Sequence, residues 1–226
     1  WGEFGGFKHK DAILYEAASM VAFGASANFG DQLHPSGKME MATYENIGYA
    51  YDYVELIEAY GVGADHIAST GVYVSPDKEA LEGTVQMLLE CQVNFNVVNT
   101  LEDWSDIETL IITSGGVSES DIPKITTFIE EGGKVLAMGE GIFVNGSPII
   151  DIGADYMGSA NYDVDYTMVE ESIGEEMVFT PFLNYTPALR VNPHEGTEIL
   201  AHIREPYFSR TIAHYCSHKN TPYTME

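Results

Sequence analysis

Cysteine is nearly missing from this chain: two among 226 residues, Cys91 and Cys216. Two thiols exclude the disulfide framework that staples small secreted domains, and both are expected to be free. Basic side chains are also scarce, 10 Lys and Arg against 35 Asp and Glu, which leaves a formal net charge of −25. A surface of that sign repels phosphate backbones, so nucleic acid is excluded as an expected partner. No apolar run approaches the roughly 20 residues that a membrane-spanning helix needs, and no membrane partner is expected. The acidic excess fits adaptation to salt or plain solubility, and solubility is the simpler reading. An apolar fraction of 45% and an aromatic fraction of 12% supply enough core material to exclude disorder despite the charge.

What is present organises into two regions, 1–62 and 63–226. The first reads as β-loop-α-β-loop-α. Asp11 is placed to cap a helix ending near Ala22, with Ile13, Ala17 and Met20 on one face. Residues 25–29 are small and alternating, which suits a buried barrel strand. A polar loop follows, Gly30-Asp31-Gln32-Leu33-His34-Pro35-Ser36-Gly37. Beyond it, Tyr44, Ile47, Tyr51, Val54 and Ile57 mark the apolar face of a second helix, with Glu45, Asp52, Glu55 and Glu58 opposite. Tyr60-Gly61-Val62-Gly63-Ala64 ends that helix and reads as a domain boundary. Because this unit begins almost at Trp1 and the tail from Thr221 to Glu226 supplies no closing element, the chain is expected to be part of a larger enzyme.

The second region alternates regularly. Strands are expected over 67–74, 94–99, 109–113 and 134–138, the third apolar enough to be central. Helices are expected after Pro76-Asp77, with Leu81, Val85 and Leu88 inward, and from Ser120-Asp121-Ile122-Pro123, with Ile122, Ile125 and Phe128 inward. Repeated β-α-β with short connections means a parallel, doubly wound sheet covered on both faces. After Gly139 the pattern loosens into expected hairpins and loops over 142–190, with one further strand candidate over 198–203.

Several residues carry chemistry. Glu3, in Trp1-Gly2-Glu3-Phe4-Gly5-Gly6, lies at an expected strand end, where barrel enzymes place their sites. A glutamate beside an aromatic ring suits glycoside cleavage, with the carboxylate as nucleophile or acid/base and Trp1 stacking on a sugar face. Such chemistry takes two carboxylates, and Glu3 could equally do no more than hydrogen-bond a loop. Asp31, Gln32 and His34 offer an acceptor, an amide and an imidazole within four residues, a set suited to sugar hydroxyls. The same residues also fit a polar loop in which Asp31 caps a turn and Pro35-Ser36-Gly37 reverses the chain.

Other motifs point less far. Ser114-Gly115-Gly116 lacks the spacing of a dinucleotide or P-loop fingerprint, so it reads as a plain loop and no cofactor is expected. Met138-Gly139-Glu140-Gly141 follows the fourth strand, where amidotransferase-like folds carry a nucleophilic cysteine. Here the turn carries Glu140, and that activity is not expected. His214, Cys216 and His218 alternate and would share one face of a strand, but a structural zinc site wants a fourth ligand. No metal site is therefore expected.

The run from Trp1 to Lys10, with Gly30 to Gly37, resembles the last strands of a glycoside hydrolase barrel. The relatives are retaining enzymes joined to a β-galactosidase trimerisation domain, some of them α-L-fucosidase-like. The stretches Glu205-Pro206-Tyr207-Phe208-Ser209-Arg210-Thr211, Cys216-Ser217-His218 and Asn220-Thr221-Pro222-Tyr223 resemble the tail of the same architecture. The resemblance implies the end of a (β/α)8 barrel followed by a flavodoxin-like, class I amidotransferase-like domain that lacks the amidotransferase cysteine and serves assembly. It implies a homotrimer, a galactose- or fucose-type glycan as carbohydrate substrate, and a catalytic partner carboxylate elsewhere in the barrel. The competing expectation is a non-catalytic assembly or carbohydrate-binding module.

Overall fold

A computed structural model describes residues 4–225. They form two compact units divided between Ile67 and Ala68.

The N-terminal unit is built on two helices, α1 (Lys10–Ala22) and α2 (Met41–Gly61). The cap of α1 is His9, whose Nδ1 accepts from the Asp11 amide at 3.3 Å. Asp11, expected as the cap, instead sits in the first turn, where its charge complements the helix dipole. Ile13 and Ala17 of α1 pack on Ala50 and Val54 of α2. Both alanines are fully buried, and their small size lets the helices approach closely. Where the helices end, a Cβ on Gly61 would come within 2.9 Å of the Val21 side chain.

The strand expected over 25–29 does not form. A strand is defined by its ladder partners, and the described residues of this unit contain no other strand. The segment is held by side chains instead. Tyr51 Oη donates to the Ala27 carbonyl at 3.0 Å, the Phe29 ring meets Tyr51 edge-on at 5.7 Å, and both Ala27 and Phe29 pack on the helix-pair core.

The C-terminal unit contains the expected parallel sheet. Its strands are β1 (Thr70–Tyr73), β2 (Phe95–Val98), β3 (Thr109–Ile112) and β4 (Lys134–Ala137), in the order β2-β1-β3-β4, all parallel. Helix α3 (Lys78–Glu90) connects β1 to β2, and α4 (Ile122–Glu130) connects β3 to β4. Alternation along the strands sends Val72 and Ile111 towards Leu81, Val85 and Leu88 of α3, and Leu110 and Ile112 towards Ile125 and Phe128 of α4. The helices therefore cover opposite faces. Order reverses between β1 and β3, the switch point outside which open α/β sheets bind ligands.

Trp104 in the β2–β3 connection plugs the α4 side. Its Nε1 donates to the Asn99 carbonyl at 3.0 Å and its ring meets Phe128 edge-on at 5.8 Å. Beyond β4 come a two-residue hairpin, β5 (Phe143–Val144) and β6 (Ser147–Pro148), and then β7 (Ala154–Ser159), β8 (Asp165–Val169), β9 (Phe182–Asn184), β10 (Leu189–Pro193) and β11 (Ala201–Arg204). The hairpin turn is Asn145-Gly146, both at positive φ (52° and 79°), the type I′ geometry that asparagine and glycine tolerate. β7 pairs antiparallel with β10, while β8 lies between β11 and β9. The strand expected over 198–203 is β11, shifted towards Arg204.

Candidate functional site

In the N-terminal unit a cavity of about 1090 Å³ opens among α1, α2 and the loops that flank them, and Asp31, Gln32 and His34 all line it. The sequence-selected loop therefore brings its acceptor, amide and imidazole to one space. Trp1 and Glu3 lie outside the described residues.

Asp31 is placed by α2. The Tyr44 phenol, in the first turn and a half of that helix, hydrogen-bonds the Asp31 carboxylate. Loss of solvent, then that bond and the negative charge of Asp31, hold the phenol above its ordinary ionisation range. It remains a neutral phenol beside the carboxylate. Asp31 does not need to cap the turn that follows it. That turn closes through the Gly37 amide donating to the His34 carbonyl at 2.8 Å, with Gly37 at φ +73°.

His34 is anchored locally. Its Nδ1 lies 2.7 Å from Ser36 Oγ and accepts from the Ser36 amide at 3.2 Å. These contacts use Nδ1 and leave Nε2 as the ring nitrogen available to a ligand. The Phe4 ring meets the imidazole edge-on at 5.8 Å. Pro35-Ser36-Gly37 reverses the chain as expected, and the reversal places the imidazole on the cavity.

Around these groups stand Phe4, Phe7 and Phe29, and the Lys8–Glu16 ion pair. Apolar ring faces beside a small set of fixed polar groups are what a sugar requires, since its C–H faces and its hydroxyls must be met by different walls. Tyr44 was legible in sequence only as an apolar-face residue of α2. The signal of its second role was the phenolic hydroxyl one turn after a polar loop. The exposed phenylalanines at positions 4 and 7 carried no periodic signal at all.

In the C-terminal unit, His214, Cys216 and His218 lie in irregular chain, so the strand on which their alternation would have aligned them does not form. The Cys216 thiol is directed at the His218 and Asn220 carbonyls, and His214 stacks against Phe208 at 5.5 Å. Among the described residues no three His, Cys, Asp or Glu side chains come together as a metal site. Cys91 and Cys216 are both free.

No protein-family model and no curated protein sequence matches the chain. Among solved structures, alpha-L-fucosidase isoenzyme 2 from Paenibacillus thiaminolyticus is similar to 100% of this chain, at 33% identity and a TM-score of 0.83. A cold-adapted beta-galactosidase from Rahnella sp. R3 is similar to 87% of it, at 14% identity and a TM-score of 0.62, a likeness of fold alone. The chain spans 36% of the length of each of these two structures. Its fold, mixed α/β with a parallel sheet, is that of glycoside hydrolase chains.

Proposed function

We propose that this chain is the C-terminal part of a glycoside hydrolase acting on fucose- or galactose-configured glycans. In this reading the N-terminal unit supplies the closing β/α segments of a (β/α)8 barrel, and the loop from Gly30 to Gly37 contributes to the sugar site. Asp31, oriented by Tyr44, accepts from substrate hydroxyls. Gln32 offers both a donor and an acceptor, His34 presents Nε2, and Phe4, Phe7 and Trp1 meet the apolar faces of the sugar. Glu3 serves as one of the two carboxylates that glycoside cleavage takes, either as nucleophile or as acid/base. Its partner belongs to the remainder of the barrel.

The observation that carries the proposal is the gathering of Asp31, Gln32 and His34 on one aromatic-walled cavity. It occurs in a chain 33% identical, over all of its length, to a structure named as an alpha-L-fucosidase. The C-terminal unit, flavodoxin-like in strand order and without a cysteine on the turn at Glu140, serves assembly into a homotrimer. Sedimentation of the intact polypeptide that carries this sequence tests the assembly role, and a monomer would end it. Assay of the same polypeptide on aryl α-L-fucosides and aryl β-D-galactosides tests the activity. Turnover of one of the two is expected, and turnover of neither would overturn the proposal.

A further inference from the structure

Two loops that the glycosidase reading leaves unused converge in the C-terminal unit. Ser114-Gly115-Gly116 follows β3 and Glu140 follows β4. Together with Phe143, Gly146 and Tyr156 they line a second cavity of about 260 Å³. It lies outside the carboxyl ends of two parallel strands, the edge of an open α/β sheet at which ligands bind.

The walls are fixed before any ligand arrives. A Cβ on Gly115 would sit 1.8 Å from Ser75 Oγ and 2.6 Å from the Asp77 amide nitrogen, so the loop lies flush against the start of α3. A Cβ on Gly141 would sit 2.1 Å from the Thr113 carbonyl oxygen, which locks the β4 loop against the end of β3. Ser114 Oγ donates to Asp77 Oδ2 at 3.1 Å, while Asp77 Oδ1 caps α3 through the Ala80 amide, also at 3.1 Å. The serine hydrogen is committed to Asp77, so towards a ligand in the cavity its oxygen acts as an acceptor. Phe143 and Tyr156 form an aromatic corner, centroids 4.8 Å apart at 67°.

The chemistry selects the occupant. Glu140 is the charged group of the lining and no Lys or Arg accompanies it, so phosphate and carboxylate ligands are repelled. The volume falls below the roughly 300 Å³ at which drug-sized ligands begin, and suits a single small ring. A carboxylate that accepts from adjacent hydroxyls, a hydroxyl that accepts from a third, and an aromatic corner for C–H groups describe a neutral monosaccharide. We propose that this cavity is a monosaccharide-binding subsite, separate from the cleft of the N-terminal unit and independent of any catalysis there.

The test is a titration of the 226-residue chain with L-fucose and with D-galactose, read at the backbone amides by ¹H–¹⁵N correlation. Choline and inorganic phosphate serve as charged probes. Saturable shifts at Gly115, Gly116 and Gly146 are expected with at least one of the sugars and with neither charged probe. Glu140→Ala should weaken that binding by about tenfold or more, as loss of a charged acceptor does, and Tyr156→Phe should weaken it less. Asp31→Asn should leave it unchanged, while abolishing any sugar shifts at Gly30 and Gly37. Sugar shifts absent from the three glycines, an affinity undiminished by Glu140→Ala, or a stronger response to choline or phosphate would each overturn the subsite. Response at Gly30 and Gly37 alone would overturn it and leave the glycosidase reading standing.

Discussion

Tyr51, on α2, donates its phenolic hydrogen to the backbone carbonyl of Ala27 across 3.0 Å. This bond ties the segment before the Gly30–Gly37 loop to α2, and it substitutes for the ladder bonds that a strand would have made. Tyr51→Phe keeps the ring packed on Phe29 and removes only the bond. A loss of about 1 kcal/mol is expected for the N-terminal unit in denaturant titration. Faster amide exchange over 25–30 should accompany it. Unchanged exchange would show that the segment is held by packing alone.

Tyr73 and Asp121 define a pH window for the C-terminal unit. The Tyr73 hydroxyl donates to Asp121, which also accepts from Thr100 Oγ1 at 3.0 Å and Ser120 Oγ at 3.1 Å. The bond to Tyr73, followed by those to Thr100 and Ser120 and the charge of Lys124, holds the Asp121 carboxyl below its ordinary 3.8. Burial, then the bond to Asp121, pushes the phenol from 10.0 up to about 12. A lowered carboxyl contributes stability above 3.8 that disappears as pH falls through its folded value. A raised phenol contributes stability below 10.0 that disappears as pH climbs towards 12. The denaturation midpoint of wild type should therefore fall at both extremes. Tyr73→Phe should cost about 1–3 kcal/mol at neutral pH and flatten the alkaline fall. An alkaline limb identical in the two proteins would contradict the assignment.

Gly115 admits no side chain. Alanine there would drive Cβ into Ser75 and the Asp77 backbone, which hold the first turn of α3. Overpacking of this kind costs about 1–3 kcal/mol. Gly115→Ala should show that loss in urea, whereas Gly83→Ala, with open space around its Cβ, should not. Equal behaviour of the two variants would remove the steric argument.

Asp165 is 1% exposed and has no cationic partner among the described ion pairs. Its oxygens accept from Asn184 Nδ2 at 2.8 Å and from the Ala188 amide, pinning the segment after β9 to β8. Asp165→Ala leaves both donors buried without an acceptor, and a loss of about 3 kcal/mol is expected. Asp165→Asn retains one acceptor oxygen and should cost less. A null result for Asp165→Ala would mean that water replaces the carboxylate.

The parallel sheet was legible because its strands are short apolar runs separated by capped, periodic helices, and both features are local. Asp77 and Pro123 announced their helices, and Ile125 and Phe128 declared the inward face of α4. The segment 25–29 misled because composition reports the wish to be buried and not the availability of a ladder partner. Hairpins were expected after Gly139, but where β7 to β10 form, and the pairing of β7 with β10 and of β8 with β11, had no local signal. β7 and β10 carry Asp, Arg and Asn on exposed positions and β8 buries Asp165, so only their cross-strand pairing makes them strands. The Asn145-Gly146 hairpin lies in the segment expected to form hairpins, and its local signal is two residues that tolerate positive φ directly after Phe143-Val144. At the site, Asp31, Gln32 and His34 were visible as a cluster of sugar-competent groups. Tyr44 was not, because a helical tyrosine at a core-facing period reads as packing until its hydroxyl is seen at a carboxylate.

The cleft of the N-terminal unit as the sugar end of a glycosidase is tested most directly by kcat/KM on an aryl α-L-fucoside and an aryl β-D-galactoside. The enzyme is the intact polypeptide carrying this sequence, as wild type and as Asp31→Asn. Wild type should turn over one of the two, and Asp31→Asn should lower kcat/KM by about 10- to 100-fold, the worth of a hydrogen bond to a charged acceptor. Turnover indifferent to Asp31→Asn, or no turnover of either glycoside, would contradict it.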